Sequence, residues 1–250
     1  MKEGVRVNRE TFRICVLSYQ GVHRKTIDTL CQLRLAGYKN VCVYAQPFHY
    51  KKTFKPIYEH RPNLINTNNI RKTGYEKAIK NLGYDVVAIS STDEIFESPG
   101  NVFLVCGAGL LPPAFLEKYR VINAHPGYIP NERGLDALKW AIVENQPIGV
   151  STHFLGQYID AGQVIERKIV PVYPSDTFHA VAQRQYEIEI DMLISALQKW
   201  DRPQFFTDGQ KYVIHKRMPN ETEKNLMEIF ERYKRNWCNL QLEASDYAIP

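Results

Sequence analysis

Over its first two thirds the chain alternates short apolar runs with longer helical ones, a rhythm that restricts it to a layered α/β architecture with a mostly parallel sheet. Strands are predicted at 12–18 (FRICVLS), 40–45 (NVCVYA), 85–90 (DVVAIS), 101–106 (NVFLVC) and 120–124 (RVINA), with helical stretches near 24–36, 74–82 and 134–144 between or after them. Such crossovers are right-handed, and the resulting sheet collects ligands at the carboxyl ends of its strands.

The rhythm changes after Pro147. GVSTHFL and QVIERKIVPV both read as extended, joined by the seven-residue GQYIDAG with a glycine at each end, so an antiparallel hairpin is expected. Residues 175–200 carry Phe178, Val181, Ile188, Met192 and Leu193 at helical spacing behind the cap candidates Ser175 and Asp176. A catalytic domain is therefore expected over 1–200. Residues 201–250, with strand-like KYVIH and a charged helix from Glu221 to Asn239, read as a C-terminal strand-and-helix appendage. Its stripe of Leu226, Ile229, Phe230, Tyr233 and Trp237 suits either intrachain packing or a homodimer contact.

Apolar residues make up 44% of the 250 and charged residues 24%, within the range of ordinary soluble globular proteins, so neither disorder nor membrane insertion is favoured. The runs LVCGAGLL and DVVAIS are far shorter than the roughly 20 residues a membrane helix needs, and MKEGVRVNRE lacks an apolar signal core. A cytoplasmic protein is the expectation. The five cysteines are widely spaced in apolar segments, and there is no CxxC or HExxH, so no metal is expected. The net charge of +5 suits anionic small molecules as readily as nucleic acid.

Chemistry concentrates in VCGAGLLPPAFLEKYRVINAHPGYIPNERG. Asn123 and His125 lie two apart near the end of an apolar strand, so they share a face, and Pro126-Gly127 is expected to stop the strand and expose them. Asp160 falls in the predicted hairpin loop, within reach of the imidazole. An amide donor, an imidazole and a carboxylate supply what acyl transfer to an amine requires: oxyanion contacts, a proton acceptor and a group to orient it. His153 reads either as a buried structural histidine or as a catalytic one, and Asp136 as a helix first-turn charge.

The elements GLLPPAFL, INAHPGYIPNERG, GVSTHFL and IDAGQVI agree in order, interval and residue type with one family, so the segment from Cys106 to Ile165 resembles the folate-dependent formyltransferases. The resemblance implies a Rossmann-like layered domain in which Asn123, His125 and Asp160 are the catalytic trio, acting without a metal. It also implies a 10-formyltetrahydrofolate co-substrate, its pterin lying against Leu110, Leu111 and Leu116 and the loop Gly156, Gln157, Tyr158, Ile159 and Asp160.

Acceptor choice falls to the N-terminal third. Where the phosphoribosylglycinamide branch has a glycine-rich phosphate turn, this chain reads Ser18-Tyr19-Gln20-Gly21-Val22-His23, which argues against the same close cradle. The methionyl-tRNA branch would continue into a basic RNA-binding barrel, so no nucleic acid is expected. The remaining branch implies a nucleotide-linked amino-deoxy sugar as acceptor. Residues 46–63, with Phe48, Tyr50, Phe54 and Tyr58 among Lys51, Lys52, Lys55 and Arg61, can stack a base and hold a pyrophosphate, or form solvated basic surface. A phosphoribosylglycinamide-type acceptor and a folate binder without catalysis are the alternatives. A nicotinamide oxidoreductase would need GxGxxG after the first strand, where it is absent.

Overall fold

The computed structural model describes residues 8–48, 55–61 and 72–243. Eight strands form one sheet: β1 (Ile14–Tyr19), β2 (Val41–Gln46), β3 (Asp85–Ala88), β4 (Val102–Val105), β5 (Arg120–His125), β6 (Gly149–Phe154), β7 (Gly162–Ile169) and β8 (Phe205–Thr207). Seven helices accompany them among the described residues: α1 (Arg24–Leu35), α2 (Lys72–Asn81), α3 (Pro113–Lys118), α4 (Ala137–Val143), α5 (Phe178–Ser195), α6 (Asn220–Glu223) and α7 (Leu226–Glu243).

The strand order is β3-β2-β1-β4-β5-β6-β7-β8. β1 to β5 pair in parallel, and β5, β6, β7 and β8 pair antiparallel. The layered α/β fold and the hairpin expected from the sequence are both present. Because β1 lies between β2 and β4, the chain reverses its direction of travel across the sheet there, which opens a crevice at the carboxyl ends of these strands. β5 ends beside that crevice, where parallel pairing gives way to antiparallel.

Both faces of β1, β2 and β4 are covered, which explains why these strands are apolar rather than alternating, while β3 lies exposed at the edge. Ile14, Val16, Val43, Leu104 and Ile122 face one cluster with Leu30 and Leu193, while Cys15, Leu17, Cys42, Phe103 and Val121 face another with Phe115 and Tyr119. The cap of α5 is Thr177, whose hydroxyl accepts from Ala180 N at 3.1 Å, rather than Ser175 or Asp176. The Asp176 carboxylate instead accepts from Tyr173 N and pairs with Arg184 at 2.8 Å.

Past Trp200 the chain stays on the same body. The extended segment is Phe205–Thr207, which adds an edge strand to β7, and not KYVIH, of which His215 makes an isolated bridge to Gly134. α7 lays Leu226, Phe230 and Tyr233 into a cluster with Leu138, Ile142, Val150 and Phe178, so the apolar stripe is buried within the chain. None of the described helices is long and apolar enough to cross a membrane.

Candidate active site

Asn123 and His125 sit two apart on β5 and share a face, as alternation along a strand requires. Asn123 is half-buried, but His125 is only 4% exposed, so Pro126-Gly127 does not leave it open as expected. The reason is local. The chain folds back over the ring, and Glu132 O lies 3.0 Å from His125 Nε2. A Cβ on Gly127 would stand 2.5 Å from that nitrogen and 2.6 Å from that oxygen, so only glycine lets the loop approach so closely.

Since a carbonyl can only accept, Nε2 carries the proton and donates to Glu132 O. Nδ1 then faces Asp160 Oδ2 at 3.4 Å. His153 lies opposite Asn123 in the antiparallel register, at a shift in pairing between Thr152 and His153. Such a bulge re-aims a side chain. His153 Nε2 lies 3.4 Å from Asn123 Nδ2 and 3.6 Å from Asp160 Oδ1, so this histidine, buried as one of its two expected readings has it, also stands inside the cluster.

Asp160 is in the left-handed region, with φ of 44°, a conformation aspartate tolerates better than most residues. Several contacts hold it there. Gly134 N donates to Asp160 Oδ2 at 2.9 Å, and the fully buried Arg133 donates from Nε to Ile159 O at 3.0 Å. Arg133 Nη1 also donates to Gly209 O and Tyr212 O, each at 3.1 Å. Tyr158 lies against Gly209, and its hydroxyl accepts from Gln210 Nε2 at 3.0 Å. The segment expected to be an appendage therefore holds the loop that carries the carboxylate.

Burial lowers the pKa of His125, with the Asp160 carboxylate opposing, so the imidazole is neutral at neutral pH. Burial raises that of Asp160, but the His125 and His153 rings and the Gly134 N–H outweigh it and hold the carboxyl below its ordinary range. The arrangement thus presents an unprotonated imidazole Nδ1 beside a fixed carboxylate and an amide donor.

The remaining expected positions divide. Leu110 is 92% exposed, whereas Leu111 and Leu116 are half-buried and pack with Leu155 on the Phe103–Phe115 cluster. Gly156, Gln157, Tyr158 and Ile159 are exposed along the loop before Asp160. Tyr50, Phe54, Lys51 and Lys52 lie outside the described residues. Tyr58 packs on Phe178 and Arg61 donates to both oxygens of Glu189, at 3.1 and 2.8 Å. Around the turn after β1, Tyr19 packs on His23 and Phe48, and Lys25 of α1 is buried against Glu189 at 2.7 Å. Asp136 is not a first-turn charge: it takes a left-handed backbone at the start of α4, and its carboxylate accepts from Met218 N and pairs with Arg217.

Residues 97–197 match the model of the family described as formyl transferase. Among curated proteins, the trifunctional purine biosynthetic protein adenosine-3 of Chironomus tentans is 32% identical over 95 residues, 36% of this chain and 7% of that protein. The phosphoribosylglycinamide formyltransferase of Haemophilus influenzae is 28% identical over 104 residues, 40% of this chain and 46% of that enzyme. The chain thus spans less than half of either relative. Among solved structures, the N-formyltransferase from Helicobacter canadensis, in complex with folinic acid and dTDP-3-aminofucose, superposes with a TM-score of 0.58 at 15% identity, over 88% of this chain and 81% of that one. At that identity the likeness is one of fold, and the chain has the formyltransferase Rossmann-like fold.

Proposed function

We propose that this chain transfers the formyl group of 10-formyltetrahydrofolate to the primary amine of a nucleotide-linked amino-deoxy sugar. The observation that carries the reading is the meeting of Asn123, His125 and Asp160 at the end of β5. The acceptor amine attacks the formyl carbon, and the carbonyl oxygen becomes an oxyanion to which the Asn123 amide donates. His125 Nδ1 takes the proton the amine sheds, and the imidazolium so formed is stabilised by Asp160, which stays ionised. Collapse of the tetrahedral intermediate breaks the bond from carbon to the folate nitrogen. That nitrogen receives the proton, leaving a formamide and tetrahydrofolate. The exposed Leu110 and the loop from Gly156 to Ile159 offer the surface against which a flat pterin would lie. A cytoplasmic location belongs to the same reading.

One observation favours a sugar acceptor. Tyr19, at the end of β1, packs on His23 and Phe48 beside the following turn, and the buried Lys25 of α1 pairs with Glu189 rather than facing an open phosphate cradle. A phosphoribosylglycinamide-type acceptor is the second reading, supported by the identity with the Haemophilus influenzae enzyme.

The test is incubation with 10-formyltetrahydrofolate and a panel of nucleoside-diphosphate amino sugars beside phosphoribosylglycinamide, with formamide products read by mass spectrometry. Formylation of a sugar nucleotide is expected, with turnover lost in Asn123→Ala. Folate binding with no formylation of any amine would instead identify a binder without catalysis.

A further inference from the structure

We infer that Glu132, Glu144 and His215 form a binding site for one divalent cation, with zinc the best match to the ligand set. The three come from the loop before α4, the last residue capping α4, and the segment after β8. They bring one ligand atom each to within 4.8 Å of one another.

The side chain of Glu132 is wholly buried, and neither of its carboxylate oxygens has a hydrogen-bond partner among the described residues. His215 Nε2 is likewise buried and without one. A carboxylate withdrawn from water needs compensating hydrogen bonds or an opposite charge. Here the neighbours are a second carboxylate, which repels it, and an imidazole nitrogen too distant to bond. His215 Nε2 stands 3.6 Å from Glu132 Oε2 and 3.5 Å from Glu144 Oε2. Ligand atoms around a tetrahedral ion with bonds of about 2.1 Å stand roughly 3.4 Å apart, so both separations suit a shared ion.

His215 is fixed before any ion arrives. Its ring stacks on Trp140, with centroids 4.7 Å apart and planes at 12°. Its main chain is bonded on both sides, N to Arg133 O and O from Leu135 N, each at 2.9 Å. Two carboxylates and one imidazole match a borderline cation such as zinc better than the all-oxygen shells of calcium or magnesium. The Glu144 side chain is 42% exposed, which provides an entry route and leaves a further coordination position to water.

The site lies one bond from the proposed chemistry without joining it. Glu132 offers its main-chain oxygen to His125, and Gly134 offers its N–H to Asp160. A cation would tie the 132–134 loop to the segment around His215 and so brace both groups. The inference stands on the buried carboxylate and imidazole alone, independent of which acceptor the protein uses.

The experiment uses the full chain, stripped with a chelator and titrated with zinc chloride by calorimetry, with thermal melting in parallel. One equivalent is expected to bind and to raise the melting midpoint. Glu144→Gln, at an exposed position, is expected to keep the metal-free midpoint and to weaken zinc binding at least tenfold; His215→Gln is expected to weaken binding at least as much, with a lower metal-free midpoint from the lost stacking on Trp140. Cobalt substitution should give ligand-field bands without a thiolate charge-transfer band, which separates this site from the cysteines. No saturable zinc binding would overturn the proposal, the buried carboxyl then being held by a proton alone. Undiminished binding in both variants, or a thiolate spectrum, would overturn it equally.

Discussion

The buried guanidinium of Arg133 donates to the main-chain carbonyl of Ile159, the residue immediately before Asp160. One side chain thereby fixes the backbone of the loop whose next residue faces His125. The same guanidinium reaches Gly209 and Tyr212, so it ties the loop before Asp160 to the 209–212 segment through their carbonyl oxygens.

Arg133→Met removes every donor to these carbonyls and is expected to destabilise the fold by about 2–4 kcal/mol, the cost of leaving buried acceptors unpaired. Urea unfolding measures it. Turnover should fall further than the remaining folded fraction explains, because Asp160 loses its anchor, and Arg133→Lys should recover only part of both. Equal turnover per folded molecule in Arg133→Met would show that the clamp does not serve the site.

Gly134→Ala tests the adjoining residue. Gly134 has φ of +90°, and an added Cβ would stand 2.2 Å from the main-chain oxygen of His215. The backbone must shift, at an expected cost of about 1–3 kcal/mol, and the Gly134 N–H moves with it. A crystal structure of the variant should show the contact to Asp160 lengthened beyond hydrogen-bond range.

Asp160→Asn keeps the shape of the side chain and removes the charge that stabilises a protonated His125. A fall in kcat of roughly 10²–10⁴ is expected, the range for loss of general acid–base function. Donor affinity should change little, since the exposed loop before Asp160 is unaltered. Stopped-flow turnover beside a folate-binding isotherm separates the two, and wild-type kcat would remove Asp160 from the mechanism.

Glu223, fully buried in α6, pairs with Lys139 and accepts from Ile57 N at 2.8 Å and Tyr58 N at 3.1 Å. Glu223→Ala leaves the buried ammonium of Lys139 without its partner, for an expected loss of about 3–5 kcal/mol. It also frees two amide protons of the 55–61 segment. Hydrogen exchange at Ile57 and Tyr58 should accelerate in the variant, and unchanged protection there would mean other contacts hold the segment.

Asp176 carries a pH prediction. Its pairing with Arg184 lowers the carboxyl pKa, burial opposing and the Tyr173 N–H adding to the effect. A depressed pKa in the fold stabilises above the unfolded value of about 3.9, and that stabilisation is lost as pH falls through the folded value. Asp176→Asn should therefore unfold at lower urea than wild type at pH 7, by about 1–3 kcal/mol. The gap should narrow as both are titrated below about pH 4. A constant gap down to acid would assign the loss to packing rather than charge.

Much of this architecture was legible in the chain. Continuous apolar runs such as ICVLSY and VCVYAQ mark strands buried on both faces, and period-2 alternation put Asn123 and His125 on one side of β5. Local backbone geometry suffices for such inferences. The reading failed where partners are distant in sequence. Strand propensity favoured KYVIH, yet it is Phe205–Thr207 that takes the edge of β7 left free by β6, because a strand exists only where an edge is free to receive it. Asp136 resembled a helix-start charge, but its carboxylate answers Met218 and Arg217.

The sequence by itself determined the layered sheet, the hairpin and the strand that carries the amide and the imidazole, since each follows from periodicity and turn chemistry within a few neighbouring residues. Only the tertiary structure decided that His125 is covered, that His153 joins Asp160, and that Arg133, Gly209 and His215 brace the loop. Those contacts depend on the approach of segments far apart along the chain, and what fixes them is the packing of the whole rather than the pattern of any part.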